Sequence, residues 1–236
     1  MSALAIALTA DQVEAAGRLY SQLRQWQVSE AALDALAERV PGFSEEAVLL
    51  KAVAVNGLYG TNVLALSRMA IHVRTTIEKS DLRTAGPELV EGIARLPRED
   101  GEAANRRHHS FASKFAHFFI DAGRFPIMDS YAVAIVKVHF GVANYNQSRE
   151  KPYVAFVENL KTLRTLAELN VTNRELDRYL WIAGAYRTYR KRRDAQRKAK
   201  ISVELNRLFT NPSESIRADI DALMPSILSP TLRGEL

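Results

Sequence analysis

Lys114 and Asp129 stand fifteen residues apart and are the two residues of this chain whose types and setting could do covalent chemistry together. Lys114 is followed by a run of good helix formers to about Ile120, then Asp121-Ala-Gly123-Arg reads as a tight turn, and Phe125-Pro-Ile-Met leads extended into Asp129. Lys114 to Asp121 climbs about 10 Å at 1.5 Å per helical residue, and Phe125 to Asp129 descends about 13 Å at 3.3 Å per extended residue. Asp129 therefore returns to the level of Lys114. A lysine partly buried against Phe111, Phe115 and Phe118, and close to Arg106 and Arg107, is in the setting of an amine nucleophile, and an aspartate opening a helix is held anionic by backbone N–H groups. On spacing alone, a surface lysine and an unrelated N-cap aspartate are the favoured description.

The elements that must position this pair read as helices. Thr9-x-x-Gln12 and Thr172-x-x-Glu175 are capping boxes, and Ser29 and Ser44 are N-caps before apolar-periodic runs. No alternating β-branched run bounded by turn residues occurs, so the expected class is all-α, with about ten helices near 10–25, 29–40, 44–58, 61–79, 87–95, 106–120, 129–141, 152–169, 172–199 and 213–223. Val48 to Leu58 and Tyr131 to Phe140 are apolar on most faces and are expected at the centre. Residues 1–200 read as one helical domain, and 201–236 as a C-terminal extension that folds back onto it.

A lysine near the start of a helix, then Phe125-Pro-x-x-Asp129 opening an apolar helix, resembles the helix-hairpin-helix DNA glycosylase superfamily. The cysteine-free form with Ser113-Lys-Phe-x-x-Phe-Phe and Phe125-Pro-Ile-x-Asp-Ser-Tyr is most similar to bacterial proteins like 8-oxoguanine DNA glycosylases. Val55-Asn-Gly-Leu-Tyr-Gly-Thr-Asn62 resembles that superfamily's helix and loop contacting the base-flipped strand, and Leu176-Asp-Arg-Tyr-Leu-Trp-Ile-Ala-Gly184 its closing helix, so the resemblance spans about 44–184. It implies two helical lobes with a cleft between them and a DNA repair glycosylase, with or without lyase activity, that excises a damaged base such as an oxidised purine. Lys114 and Asp129 would be the catalytic pair. Asn56, Tyr59, Asn62, Arg106, Arg107, Ser110, Ser113 and His117 would contact DNA. Where the superfamily has a Gly-x-Gly turn before the lysine, this chain has Ser110-Phe-Ala-Ser113, residues that do not readily take positive φ. The alternatives are a non-catalytic helical nucleic-acid-binding protein and a helical protein-interaction module.

Charge distribution points to the same partner. Between Arg187 and Lys200 lie eight basic residues and one acid, whereas the rest of the chain has 24 basic and 26 acidic residues. A segment of +7 on a nearly neutral body suits a polyanion, and Arg190, Lys191, Arg192 and Arg193 are its expected phosphate contacts. With 236 residues and 47% apolar composition the chain can bury a core without metal or disulfide. It has no cysteine, which excludes disulfides, thiolate zinc and cysteine-bound iron–sulfur clusters, and suits a reducing cytoplasm. The six apolar residues Ala3 to Leu8 are too few for a signal peptide, and the longest uncharged run, the 16 residues Ala52 to Ser67, is too short to span a membrane. His108, His109 and His117 lack a carboxylate at metal-site spacing, so neither metal nor cofactor is expected.

Overall fold

A computed structural model describes residues 4–98, 107–195 and 201–223. Among them are eleven helices and no strand: α1 (Ala10–Tyr20), α2 (Arg24–Arg39), α3 (Glu45–Tyr59), α4 (Leu66–Glu78), α5 (Glu88–Ala94), α6 (His109–Phe119), α7 (Ser130–Phe140), α8 (Pro152–Leu166), α9 (Asn173–Asp194), α10 (Val203–Thr210) and α11 (Glu214–Leu223). The chain divides into two compact units. The first comprises Met1–Gln27, Ser130–Asn146 and Asn159–Leu236, and the second Val28–Asp129 and Gln147–Glu158.

In the first unit α1 packs on α9 and α11, and α7 packs on α9. The capping box at Thr172 forms as the sequence implies, with its N–H donating to Glu175 Oε2 at 2.7 Å and Glu175 N–H returning to Thr172 Oγ1 at 3.2 Å. Every residue of α7 from Tyr131 to Phe140 is buried or half-buried, which places that helix centrally. Its approach to α9 needs a glycine: a Cβ on Gly184 would lie 2.5 Å from Tyr131 Cβ and 2.8 Å from its Cα. Alanine ordinarily stabilises a helix interior relative to glycine by about 0.5–1 kcal/mol. Here Gly184→Ala should destabilise instead, by about 1–3 kcal/mol of overpacking, readable in urea unfolding.

His139 on α7 is fully buried. Its Nδ1 lies 2.9 Å from the Ile6 carbonyl and its Nε2 2.7 Å from the Tyr179 hydroxyl. A carbonyl only accepts, so Nδ1 carries the proton and Nε2 accepts from Tyr179. Burial pulls His139 below the ordinary value of 6.5 and pushes the Tyr179 hydroxyl up, so both are held neutral.

Several elements depart from the expected bounds, two helix starts and one added helix among them. The second helix starts at Arg24, not Ser29, since Gln25 N–H donates to the Glu204 carboxylate at 3.2 Å and the Trp26 ring lies 4.5 Å from that of Trp181. The fourth starts at Leu66, not Thr61, because Gly60 and Asn62 both take the left-handed conformation and hold 60–65 as a loop. The short α10 was not expected at all; Ser202 Oγ caps it by accepting from Leu205 N–H at 3.2 Å, and Leu205, Leu208 and Phe209 are buried.

In the second unit α3 packs on α4 and α6, α4 on α5, and α5 on α6. The expectation that Val48 to Leu58 is buried all round is corrected: Val48, Ala52 and Val55 are buried, but Leu50 and Val53 on the opposite face are 53% and 47% exposed. One charged residue goes the other way. Lys51 is buried, donates from Nζ to the Gly42 carbonyl at 2.7 Å, and lies 4.7 Å from the Phe43 ring centre and 5.3 Å from that of Phe119. Burial lowers its pKa.

Candidate functional site

The helix α6 carries Phe111, Phe115 and Phe119 into the core of the second unit, which fixes the face that Lys114 must take. Beyond it, Asp121 closes the turn: its Oδ1 accepts from Gly123 N–H at 2.8 Å and from Arg124 N–H at 3.2 Å. Arg124 in turn donates to the carbonyls of Leu82, Arg83 and Ala85, which anchors the turn. The returning segment is stitched to α6 by Ser113, whose Oγ accepts from Met128 N–H at 3.0 Å, and by His117, whose Nδ1 donates to the Phe125 carbonyl at 2.9 Å.

The distance arithmetic closes. Lys114 Nζ is 3.2 Å from Asp129 Oδ2 and also donates to Ser110 Oγ at 3.1 Å. The third side of the ammonium faces the Tyr59 ring, whose centre is 5.6 Å away, and that ring packs on Phe118. The lysine side chain is only 5% exposed and that of Asp129 18%. The result is a largely buried ion pair beside an aromatic wall.

Of the other expected contact residues, Ser110 and Tyr59 meet the Lys114 ammonium, whereas Ser113 and His117 are buried and bond the returning segment at Met128 and Phe125. The Asn56 amide oxygen instead accepts from Thr61 Oγ1 and Val63 N–H, both at 2.9 Å, and so ties down the α3–α4 loop. The helix runs through Asn56-Gly57 without a break. Asn62 is exposed on that loop. Ser110 to Ser113 form the first turn of α6 rather than a hairpin turn, with no positive φ. Arg107 is exposed just before α6. Arg106 lies outside the described residues, as do Arg197, Lys198 and Lys200 of the basic run.

Arg190 to Arg193 occupy the last turns of α9 in the first unit, where Arg190 donates to the Tyr186 hydroxyl at 3.3 Å and Arg193 lies over the Tyr189 ring. Tyr186 and Tyr189 pack on Phe209 of α10, with ring centres 5.1 and 5.6 Å away, so packing accounts for both aromatics.

A second polar group supports the pair and was not legible from spacing. Glu91 on α5 is buried, and its Oε1 accepts from Tyr153 N–H and Val154 N–H at the start of α8. Its Oε2 lies 2.9 Å from His109 Nε2, one residue before Ser110. Tyr153 then reaches the other arm, its hydroxyl donating to the Pro126 carbonyl at 2.8 Å. One carboxylate thus links the helix bearing Lys114 to the segment bearing Asp129. The only sequence signal is a glutamate at a position that a helical wheel assigns to the buried face of α5.

Among the described residues no three His, Cys, Asp or Glu side chains gather as metal ligands, and no helix is long and apolar enough to cross a membrane. No curated protein and no solved structure matches the chain. Residues 12–122, a little under half of it, match the family model HI_0787_N, described as an N-terminal domain, a span that takes in Lys114 and stops short of Asp129.

Proposed function

We propose that this chain is a DNA glycosylase of the helix-hairpin-helix kind, acting in the cytoplasm on a duplex that holds a damaged base such as an oxidised purine. The observation that carries the reading is the 3.2 Å contact of Lys114 Nζ with Asp129 Oδ2 inside a mostly buried, aromatic-walled setting. Asp129 takes a proton from the ammonium. The freed amine attacks C1′ of an extruded nucleotide, the C1′–N bond breaks, and the base leaves with the bonding pair and takes up the proton that Asp129 holds. The covalent intermediate loses the attached amine's proton as the sugar ring opens, giving an imine. Abstraction of a C2′ proton then breaks the C3′–O bond, which is the lyase step. Tyr59, Asn56, Asn62, Ser110, Ser113 and His117 would contact the extruded site, and Arg106, Arg107 and Arg190 to Arg193 the phosphates.

One feature favours a second reading, a nucleic-acid-binding protein without catalysis: Ser110, Asp129 and the Tyr59 ring already surround the ammonium, as they would a purely structural buried cation. A covalent trap decides between them. An imine is reduced by borohydride to a stable amine, so incubation with lesion-bearing or abasic duplexes and borohydride should leave an adduct that survives denaturation and maps to Lys114. Lys114→Gln should form none. A wild-type protein that gives no adduct and no base release across a lesion panel, while still binding duplex, establishes the non-catalytic reading.

A further inference from the structure

Two cations of the second unit stand together on its surface. Arg95 directly follows α5 and Arg107 stands two residues before α6, and the backbone bond from His108 N–H to the Ala94 carbonyl, 2.9 Å, pins the two segments side by side. Their guanidinium groups then converge on one atom. Arg95 Nη2 donates to the Glu150 carbonyl at 2.6 Å, and Arg107 Nη1 donates to the same oxygen at 2.7 Å and to the Arg149 carbonyl at 2.9 Å. Two nitrogens sharing one acceptor at those lengths lie no more than about 5 Å apart.

Among the described residues the printed hydrogen bonds of both guanidinium groups go to backbone oxygens. A carbonyl oxygen carries only a partial charge, and Arg149 and Lys151, both exposed, bring further positive charge to the same loop. Against them stands the exposed Glu150 carboxylate, which forms no ion pair with these residues. Each guanidinium has five donors and, among the described residues, spends one nitrogen on backbone, so donors of both remain for an external acceptor. Because backbone contacts already hold the two groups, little side-chain freedom is left to lose on binding.

We infer that Arg95 and Arg107 together hold a single phosphodiester of a DNA backbone, one guanidinium to each non-bridging oxygen. A phosphodiester has one charge and two acceptor oxygens, which matches two fixed donors better than it matches a carboxylate side chain on a flexible stem. Arg107 precedes Ser110, the acceptor of the Lys114 ammonium, by three residues, so the bound phosphate lies toward the N-terminal end of the helix that carries the lysine. The inference rests on the proposal that DNA is the partner, but not on any chemistry at Lys114.

The test uses an undamaged duplex, the full chain and a salt series. Arg95→Gln with Arg107→Gln should weaken binding for all sequences alike and lower the slope of log K against log salt by about 0.9, the value for one phosphate. Arg95→Lys with Arg107→Lys keeps the charge and should restore most of that slope, which separates a phosphate contact from a loop that has merely lost its anchors. A glutamine pair that binds as wild type, or a slope lowered by twice that amount, overturns the shared phosphate. A lysine pair no better than the glutamine pair also overturns it. Wild type that does not bind duplex overturns the partner itself, whereas wild type that binds but excises nothing leaves this inference standing and removes only the glycosylase.

Discussion

In Asp129→Asn, base release and borohydride trapping should fall about 10²–10³-fold, the usual loss when one preorganised electrostatic partner of a developing charge is removed. Asparagine keeps an oxygen where Oδ2 sits, 3.2 Å from Lys114 Nζ, but cannot take the ammonium proton. Stability should fall by only about 1.5–3 kcal/mol, the range for a hydrogen bond to a charged group. Pairing the two measurements matters. If the pair is structural only, Asp129→Asn lowers the unfolding midpoint and leaves duplex chemistry unchanged, and Lys114→Met combined with Asp129→Leu recovers stability, because removing both partners of a buried ion pair is often neutral.

Glu91→Ala should be the most damaging single substitution for stability, costing about 3–5 kcal/mol, because it strands buried donors at the start of α8 and leaves His109 without its partner. Urea unfolding monitored on the second unit checks it; a loss under about 1 kcal/mol would show that water replaces the carboxylate. The same residue sets a pH dependence. Burial alone would raise the Glu91 pKa, yet the His109 hydrogen bond and the Tyr153 and Val154 N–H groups outweigh it, and the carboxyl titrates below its ordinary value of 4.5. The unfolded chain then binds the proton more readily, so this stabilisation is complete above about pH 4.5 and is lost as pH falls through the folded value. His139 gives the first unit an earlier acid limb. Its folded pKa is depressed, the unfolded chain takes up the proton first, and stability declines once pH drops below about 6.5. Acid should therefore weaken the first unit before the second.

Local rules were readable where the contacts that enforce them are local. The caps at Thr172 and Ser44 lie three residues from their partners, and the Lys114–Asp129 closure follows from helix rise, turn and extended return alone. The start of α2 was misplaced because its donor is satisfied by Glu204, 179 residues away. The roles of Glu91 and Tyr153 were hidden for the same reason, since their partners are 18 to 63 residues distant. Apolar composition misled at α3, where only one face meets neighbours and Leu50 and Val53 stay exposed. Lys51 shows the converse, a charge taken inside because a carbonyl and two rings receive it.

The interleaving of the two units along the chain fixes an order of assembly during synthesis. Most of the second unit emerges from the ribosome as one stretch, Val28 to Asp129, and its longest ties described above span 63 residues. In the first unit α1 is held by Gln12 to the Leu223 carbonyl and by Arg18 to Asp219, across 211 and 201 residues. Closing so long a loop is slow, and α1 must wait with Val13, Ala16 and Leu19 bare until first α9 and then α11 have been made. Until then the nascent chain carries an unpaired amphipathic helix ahead of the second unit, the stage at which chaperone capture or aggregation competes most strongly with folding.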